Sequence, residues 1–139
     1  MYALIIEDLP LFGFEMAAVV RIIAPYATHH VASIHRASEW MNARSVGSIK
    51  LIILDRNLQQ RLVGGVTEGL DGIALLRCHY AVDEAAKIVV WTSQSEPQSI
   101  QQSQRAGASA FLSKDRLGHM HDLEADMRII LATQEWIAL

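Results

Sequence analysis

A sequence of 139 residues has room for one domain, because single domains cluster at about 100–150 residues, and it leaves none for a second. Hydrophobic residues make up 51% of it and charged residues 19%, a balance that is typical of compact globular proteins and excludes disordered and fibrous ones. The formal net charge of −3 provides no basic surface, so we expect neither direct binding to nucleic acid nor binding to an anionic membrane.

The cellular compartment is indicated by cysteine usage and by the first residues of the chain. Cys78 is the one cysteine, so no intramolecular disulfide can form and a reducing compartment is the simpler assumption. No basic segment precedes the first apolar run, and no apolar stretch approaches the ~20 residues of a membrane span. We therefore expect a cytoplasmic protein.

Strand-like and helix-like segments alternate along the chain. Short runs of leucine and β-branched residues predict strands buried on both faces, and apolar residues at helical spacing predict helices between them. In chain order, we predict a strand at 3–6, a helix from Pro10 to before Pro25, a short, weak strand at 27–32, a helix at 36–43, a strand at 50–54, a helix at 71–80, a strand at 87–91, a helix at 97–106 closed by Gly107, a short strand at 110–112 and a last helix at about 119–134. This alternation implies right-handed crossovers and a parallel α/β sheet with helices on both faces.

The connection between the third strand and the third helix is longer than is usual in a parallel α/β sheet. Residues 56–70 join the third strand to the third helix, whereas such loops usually have about 2–6 residues. The glycine-rich part at 64–69 could suggest a phosphate-binding loop, but it has neither the Gly-Lys-Ser/Thr ending of a P-loop nor a Gly-x-Gly-x-x-Gly pattern. We predict that the loop is a mobile surface insertion beside the functional site.

Acidic residues follow two of the predicted strands. Glu7 and Asp8 come directly after the first strand, and Asp55 follows the third. In a doubly wound sheet the ligand crevice lies beyond the carboxyl ends of the strands, so these three carboxylates have a common meeting place. Carboxylates that converge there repel one another, and a hard divalent cation with oxygen ligands is the usual relief. The sequence therefore predicts a cation site at this edge of the sheet.

Polar residues also follow the fourth and fifth strands, which deliver Thr92-Ser93 and Lys114-Asp115. The complete set of motifs consists of Ile6-Glu7-Asp8-Leu9-Pro10-Leu11-Phe12, Ile53-Leu54-Asp55, Asp71-Gly72, Trp91-Thr92-Ser93 and Gly107-Ala108-Ser109-Ala110-Phe111-Leu112-Ser113-Lys114-Asp115. From residue 3 to about 134 the chain resembles the receiver domain of bacterial two-component response regulators. It is most similar to receivers that precede a helix-turn-helix output domain.

The resemblance implies a fold and a domain organisation. The fold is a flavodoxin-like, doubly wound, five-stranded parallel sheet of strand order 2-1-3-4-5, with helices on both faces. We expect residues 1–139 to form a single receiver domain, with the long loop at about 56–70 and no output domain in this chain.

The resemblance also implies how the phosphoryl group is handled. Asp55 matches the phosphoacceptor, a carboxylate nucleophile that forms an acyl phosphate. Lys114 matches the lysine that pairs with the phosphoryl group, and Thr92 matches the hydroxyl that bonds another phosphoryl oxygen. Phe111 matches the aromatic residue whose rotamer follows the phosphorylation state.

Other residues match the metal site and the path of the hydrolytic water. Glu7 and Asp8 match the acidic pair that holds Mg²⁺, together with Asp55 and the main-chain carbonyl of Asn57. The side chains of Asn57 and Gln94 match two positions that lie over the path of the water that removes the phosphoryl group. Both are amides that can orient water, so we expect hydrolysis that is not unusually slow.

The function implied is that of a phosphorylation-dependent signalling receiver rather than a turnover enzyme. The phosphoryl donor would be a sensor histidine kinase or a histidine phosphotransfer protein. The response would change the surface formed by the helix at 97–106, the fifth strand and the last helix. The expected downstream partner is another protein or an output domain outside this chain. The sequence does not decide whether the protein forms a homodimer.

Departures from the family pattern keep two alternatives open. Gln59 stands where these domains usually have a proline, the loop at 56–70 is longer by roughly nine residues, and Ser93 replaces the commoner alanine. The loop and Gln59 are compatible with an interaction module that uses the fold without phosphorylation. The second alternative is a small phosphatase with an aspartate nucleophile. Asn57 argues against it, because that class normally carries a second aspartate two residues after the nucleophile.

Overall fold

The computed structural model describes residues 1–44, 46–55, 73, 85–93, 95–115 and 122–139, and every structural statement below concerns these residues. The predicted features that lie outside them are the loop at 56–70, most of the helix at 71–80, and the side chains of Asn57, Gln59, Cys78 and Gln94.

The described elements follow the predicted alternation. They are β1 (Tyr2–Ile6), α1 (Pro10–Ile23), β2 (Ala27–Val31), α2 (Ile34–Asn42), a 3₁₀ turn (Val46–Ser48), β3 (Ile49–Leu54), β4 (Lys87–Thr92), α3 (Pro97–Arg105), β5 (Ala110–Ser113), α4 (Leu123–Ala132) and β6 (Ile137–Ala138). All neighbouring strands are parallel, in the order β2-β1-β3-β4-β5-β6. The predicted order 2-1-3-4-5 is therefore confirmed.

The sixth strand is an addition to the predicted sheet of five. β6 extends the sheet beyond β5: the N–H of Leu139 donates to the carbonyl of Phe111 at 2.8 Å, and the N–H of Ser113 donates to the carbonyl of Leu139 at 3.0 Å. The last helix ends at Ala132, before the predicted end at about 134, because the chain turns there toward this strand. Much of the free edge of β5 is thereby covered, which removes a template for pairing with other chains.

β1, β3 and β4 bury side chains on both faces of the sheet, as their continuous apolar runs predict. Because successive side chains of a strand point to opposite faces, Ala3 and Ile5 of β1 pack with α1 and α4, whereas Leu4 and Ile6 pack on the α2 side. β3 and β4 divide their side chains in the same way. Apart from β2, whose central residues are Thr28, His29 and His30, the strands carry their polar residues at or near their ends, and this arrangement places the site.

Helix α3 packs on the sheet through serines rather than through an apolar stripe. Ser99 and Ser103 are buried, while Ile100 is only partly buried. The hydroxyl of Ser103 donates to the carbonyl of Ser99, and the hydroxyl of Ser99 donates to the carboxylate of Glu96, both at 2.9 Å. Gly107, at φ 107°, adopts the left-handed backbone that ends this segment, as predicted. Since α3 buries little apolar surface, we expect it to be attached only weakly.

Side chains satisfy the start of α2 and both ends of α4. Ser33 accepts from the N–H of Arg36 at the start of α2, and Asp122 accepts from the N–H of Glu124 at the start of α4. At the end of α4, the ammonium of Lys87 donates to three main-chain carbonyls, of Ile130, Leu131 and Thr133. Among the described helices, none has the length and apolar character that crossing a membrane requires.

Candidate functional site

Main-chain hydrogen bonds gather the polar residues at the carboxyl ends of the strands. Glu7 follows β1 and donates its N–H to the carbonyl of the last residue of β2 at 2.9 Å. Asp55 follows β3 and donates to Ile6 at 3.0 Å, and Lys114 follows β5 and donates to Thr92 at 2.8 Å. Each of these hydrogen bonds continues the pairing of the sheet past the end of a strand, so the sheet positions the main chain of all three residues.

The three predicted acidic residues meet at this edge. One carboxylate oxygen each from Glu7, Asp8 and Asp55 lies within 4.8 Å of the other two. Glu7 and Asp55 are each only 1% exposed, and Asp8 is partly buried. A cluster of hard oxygen donors at this spacing fits a small divalent cation such as Mg²⁺, which prefers carboxylates and keeps several waters. The residues present therefore fit the predicted metal.

Lys114 joins two of these carboxylates. Its Nζ donates to Oε2 of Glu7 at 2.6 Å and to Oδ2 of Asp55 at 3.2 Å. The side chain of Lys114 is only 4% exposed, so both ion pairs are shielded from water. The ammonium of Lys114 thus offsets part of the negative charge of the cluster. It also contacts Asp55, the carboxylate that the sequence predicts to receive phosphate.

Two aromatic rings flank the lysine ammonium. Nζ of Lys114 lies 4.3 Å from the ring centroid of Phe12 and 5.1 Å from that of Trp91. The two rings meet edge to face, with centroids 5.4 Å apart. Sequence reasoning assigned neither ring to the lysine. Because both rings lie within cation–π range of the ammonium, they favour its position beside the acidic cluster.

Burial changes the acidity of Glu7. It raises the pKa of Glu7 from 4.5 to about 7, and the negative charge of Asp55 acts in the same direction. The hydrogen bond from Lys114 and the N–H of Leu9, which donates to Oε1 at 3.1 Å, oppose the rise. The protonation state of this predicted metal ligand therefore changes near neutral pH.

The remaining described residues of the predicted site lie on β4, on β5 and just after it. Thr92 is fully buried and pairs with Ser113 across the two strands. Phe111 is also fully buried and packs in the core on the α2 and α3 side of the sheet. Asp115 is exposed, and its N–H donates to the hydroxyl of Ser113 at 3.1 Å. Asn57 and Gln94 lie outside the described residues, so the predicted carbonyl ligand and the water-orienting amides stay predictions.

A histidine that the sequence did not single out also touches the site. Nε2 of His30, on β2, lies 2.6 Å from the main-chain carbonyl oxygen of Glu7. No spacing rule links residues 23 positions apart, so only the strand pairing of β1 with β2 reveals this contact.

Comparison with known proteins places this geometry in a family. The profile of the family described as "Response regulator receiver domain" matches residues 3–134. No curated protein sequence matches the chain significantly.

Solved structures share the fold at low sequence identity. A two-component response regulator from Clostridium difficile aligns with a TM-score of 0.70 and 19% identity over 95% of this chain and 96% of its own. The signal receiver domain of a putative Luxo repressor protein from Vibrio parahaemolyticus aligns with a TM-score of 0.70 and 20% identity over 94% of this chain and 86% of its own. A response regulator protein from Burkholderia pseudomallei aligns with a TM-score of 0.66 and 20% identity over 94% of this chain and 72% of its own.

Proposed function

This chain belongs to the response regulator receiver domain family, and on that premise we propose that it is a phosphorylation-dependent signalling receiver whose phosphoacceptor is Asp55. The observation that carries the proposal is the position of Lys114, whose ammonium bonds Asp55 at 3.2 Å and Glu7 at 2.6 Å inside a buried acidic cluster. A buried cation beside a carboxylate nucleophile is suited to attract the oxygens of an incoming phosphoryl group.

Phosphoryl transfer uses an oxygen of Asp55 as the nucleophile. The carboxylate oxygen bonds to phosphorus as the bond from phosphorus to the donor breaks, and the leaving group keeps that electron pair. The donor is a phosphohistidine of a sensor histidine kinase or of a histidine phosphotransfer protein. Because the N–H of Asp55 is hydrogen-bonded to the carbonyl of Ile6 on β1, the main chain of the nucleophile is held in place before the donor arrives.

The acidic cluster provides the metal site of the proposal. Glu7, Asp8 and Asp55 would hold Mg²⁺ together with the main-chain carbonyl of Asn57. The chemistry that Mg²⁺ supplies when bound is neutralisation of the charge on the phosphoryl oxygens. The Burkholderia pseudomallei neighbour was solved with a phosphorylated aspartic acid and a calcium ion, which supports the same pairing of acyl phosphate and divalent cation here.

The response begins with Lys114 and Thr92. Once phosphate is present, Lys114 pairs with a phosphoryl oxygen, and the hydroxyl of Thr92 bonds another. Thr92 lies on β4 beside β5, where Phe111 is buried, so a shift of Thr92 changes the packing of Phe111. The changed surface comprises α3, β5 and α4, and its weakly attached helix α3 suits a switch.

The protein acts by stoichiometric phosphorylation and by contact with partners, in the cytoplasm, without turning over a substrate. Its output is a downstream protein or an output domain outside this chain. The amides of Asn57 and Gln94 would orient the water that hydrolyses the acyl phosphate.

Intact mass spectrometry after incubation with acetyl phosphate and Mg²⁺ tests the proposal. We expect one phosphate adduct on the wild type and on Asp115→Asn, which alters an exposed acid near the site, and none on Asp55→Asn. A folded wild type without an adduct would favour an interaction module that does not use phosphorylation. Continuous release of phosphate from a generic phosphate monoester would instead favour the phosphatase alternative.

A further inference from the structure

His30 is held at a specific place beneath helix α1. It lies on β2 opposite Ile5 of β1, and its ring meets the ring of Phe14 edge to face, with centroids 6.0 Å apart. Its Nε2 lies 2.6 Å from the carbonyl oxygen of Glu7. A carbonyl oxygen can only accept a hydrogen bond, so His30 is the donor and its proton must be on Nε2.

Gly13 makes room for this ring. A Cβ atom at position 13 would lie 2.3 Å from Cε1 of His30, 2.4 Å from Nε2 and 2.7 Å from Nδ1. Glycine is unfavourable inside a helix, and position 13 lies in the second turn of α1, with its N–H donating to Leu9 at 3.1 Å. The contact with His30 gives a physical reason for a glycine at this position.

The two peptide units that flank Glu7 are therefore both held by β2, the one before it through its N–H and the one that joins it to Asp8 through its C=O. The N–H of Glu7 donates to the main chain of β2 at 2.9 Å, and its C=O accepts from His30. The directions in which the carboxylates of Glu7 and Asp8 leave the main chain depend on the orientation of this peptide. A side chain that holds the peptide consequently orients the acidic cluster.

We propose that His30 is a positioning residue for the cation and phosphoryl site, and that Gly13 is the residue that admits it. His30 contacts neither a carboxylate nor the reacting atoms, and it acts through the carbonyl of Glu7. This role rests on the proposed function, because it presumes that Glu7 and Asp8 bind a divalent cation.

Isothermal titration with Mg²⁺ tests the role in the folded protein. His30→Leu removes the donor and should weaken the affinity by about tenfold or more, the usual effect of losing a group that orients a metal ligand. His30→Gln keeps an N–H donor at a similar reach and should restore most of the affinity. His29→Leu is the matched control, since His29 stacks on Trp40, 5.0 Å between centroids, on the other face of the sheet. It should leave the affinity unchanged.

The titration separates the two proposals. Equal affinities for the wild type and His30→Leu would overturn the positioning role while leaving the proposed function intact. A failure of the wild type itself to bind Mg²⁺ would overturn the metal site and, with it, this role. Loss of affinity in His29→Leu equal to that in His30→Leu would also count against the role, because it would point to general weakening of β2.

Urea unfolding without Mg²⁺ tests the contact between Gly13 and His30 independently of any ligand. Gly13→Ala should lower the unfolding midpoint in the wild type, because the new Cβ displaces the ring. In the His30→Ala background the same change should raise the midpoint, since alanine is the better helix former. A change of the same sign in both backgrounds would show that the ring does not occupy this space.

Discussion

Lys114 lies closer to Glu7 than to Asp55: its Nζ is 2.6 Å from Oε2 of Glu7 and 3.2 Å from Oδ2 of Asp55. Its stronger contact is thus with a predicted metal ligand, and its weaker one is with the predicted phosphoacceptor. Binding of a cation by Glu7 must compete with this ion pair, and such competition would free Lys114 to follow the phosphoryl group. Under the proposed function, the pairing would link metal binding to the response.

Removal of Lys114 should have opposite effects on stability and on metal affinity. Without Mg²⁺, Lys114→Ala leaves buried carboxylates without their cation and should lower the free energy of unfolding by roughly 3 kcal/mol. The same change removes a competitor for Glu7 and a repelling charge, so Mg²⁺ should bind several-fold more tightly. Urea unfolding and calorimetric titration measure the two effects.

Lys50→Ala, which alters a lysine of β3 outside the acidic cluster, is the control and should show neither the loss of stability nor the gain in Mg²⁺ affinity. Weaker Mg²⁺ binding by Lys114→Ala would refute the competition.

Stability without Mg²⁺ should depend on pH through Glu7. Burial raises its pKa from 4.5 to about 7 in the folded protein, so the folded state binds the proton more tightly than the unfolded chain. The free energy of unfolding should therefore fall as the pH rises from 4.5 to about 7 and level off above that, by about 3 kcal/mol as an upper estimate. Mg²⁺ affinity should rise over the same interval, because binding displaces the proton.

Glu7→Gln provides the comparison for this pH dependence. Glutamine does not titrate, so the part of the slope between pH 4.5 and about 7 that Glu7 contributes should disappear in both measurements. A slope that persists unchanged in Glu7→Gln would assign it to other groups.

Thr92 should transmit the phosphorylated state without being needed for phosphorylation. Thr92→Val keeps the shape of a buried side chain but removes the hydroxyl, so Asp55 should still be phosphorylated. The amide resonances of Phe111 and Ser113 should then respond much less to beryllofluoride with Mg²⁺ than in the wild type. Ser93→Ala removes the exposed hydroxyl of the next residue and should respond normally. A full response in Thr92→Val would show that its hydroxyl does not couple the site to β5.

Strand β6 should stabilise β5 and protect its edge. Deletion of residues 137–139 removes the hydrogen bonds of Leu139 with Phe111 and Ser113, together with the packing of Ile137. We expect a loss of about 2 kcal/mol in the free energy of unfolding. The exposed edge should also promote self-association, which sedimentation velocity would detect. An unchanged urea midpoint and a monodisperse sample would show that β6 contributes little.

The elements that could be predicted from sequence are those whose own residues specify them. The apolar runs of β1 and β3 indicate strands buried on both faces, and Pro10, Pro97 and Gly107 mark helix boundaries. β6 has only two residues and no pattern of its own, because pairing with β5 holds it in place.

Part of the site could likewise be predicted from local sequence, and part of it depends on contacts between distant segments. The acidic residues after β1 and β3 could be placed together, because parallel strands end at one edge of the sheet. The aromatic rings beside Lys114 and the contact between His30 and Gly13 could not, because they depend on how α1 and β2 pack against the ends of the strands. Contacts between segments that are far apart in the chain produce no recognisable pattern of residue spacing in the sequence.

The most direct test of the account is to locate the phosphoryl group. Borohydride reduces an aspartyl phosphate to homoserine, so the protein should be treated with acetyl phosphate and Mg²⁺, reduced, digested and mapped by mass spectrometry. The account predicts homoserine at position 55 and at no other position, and none in a sample from which Mg²⁺ has been chelated. Reduction at Asp8 or at another carboxylate, or a folded protein with no homoserine, would contradict it.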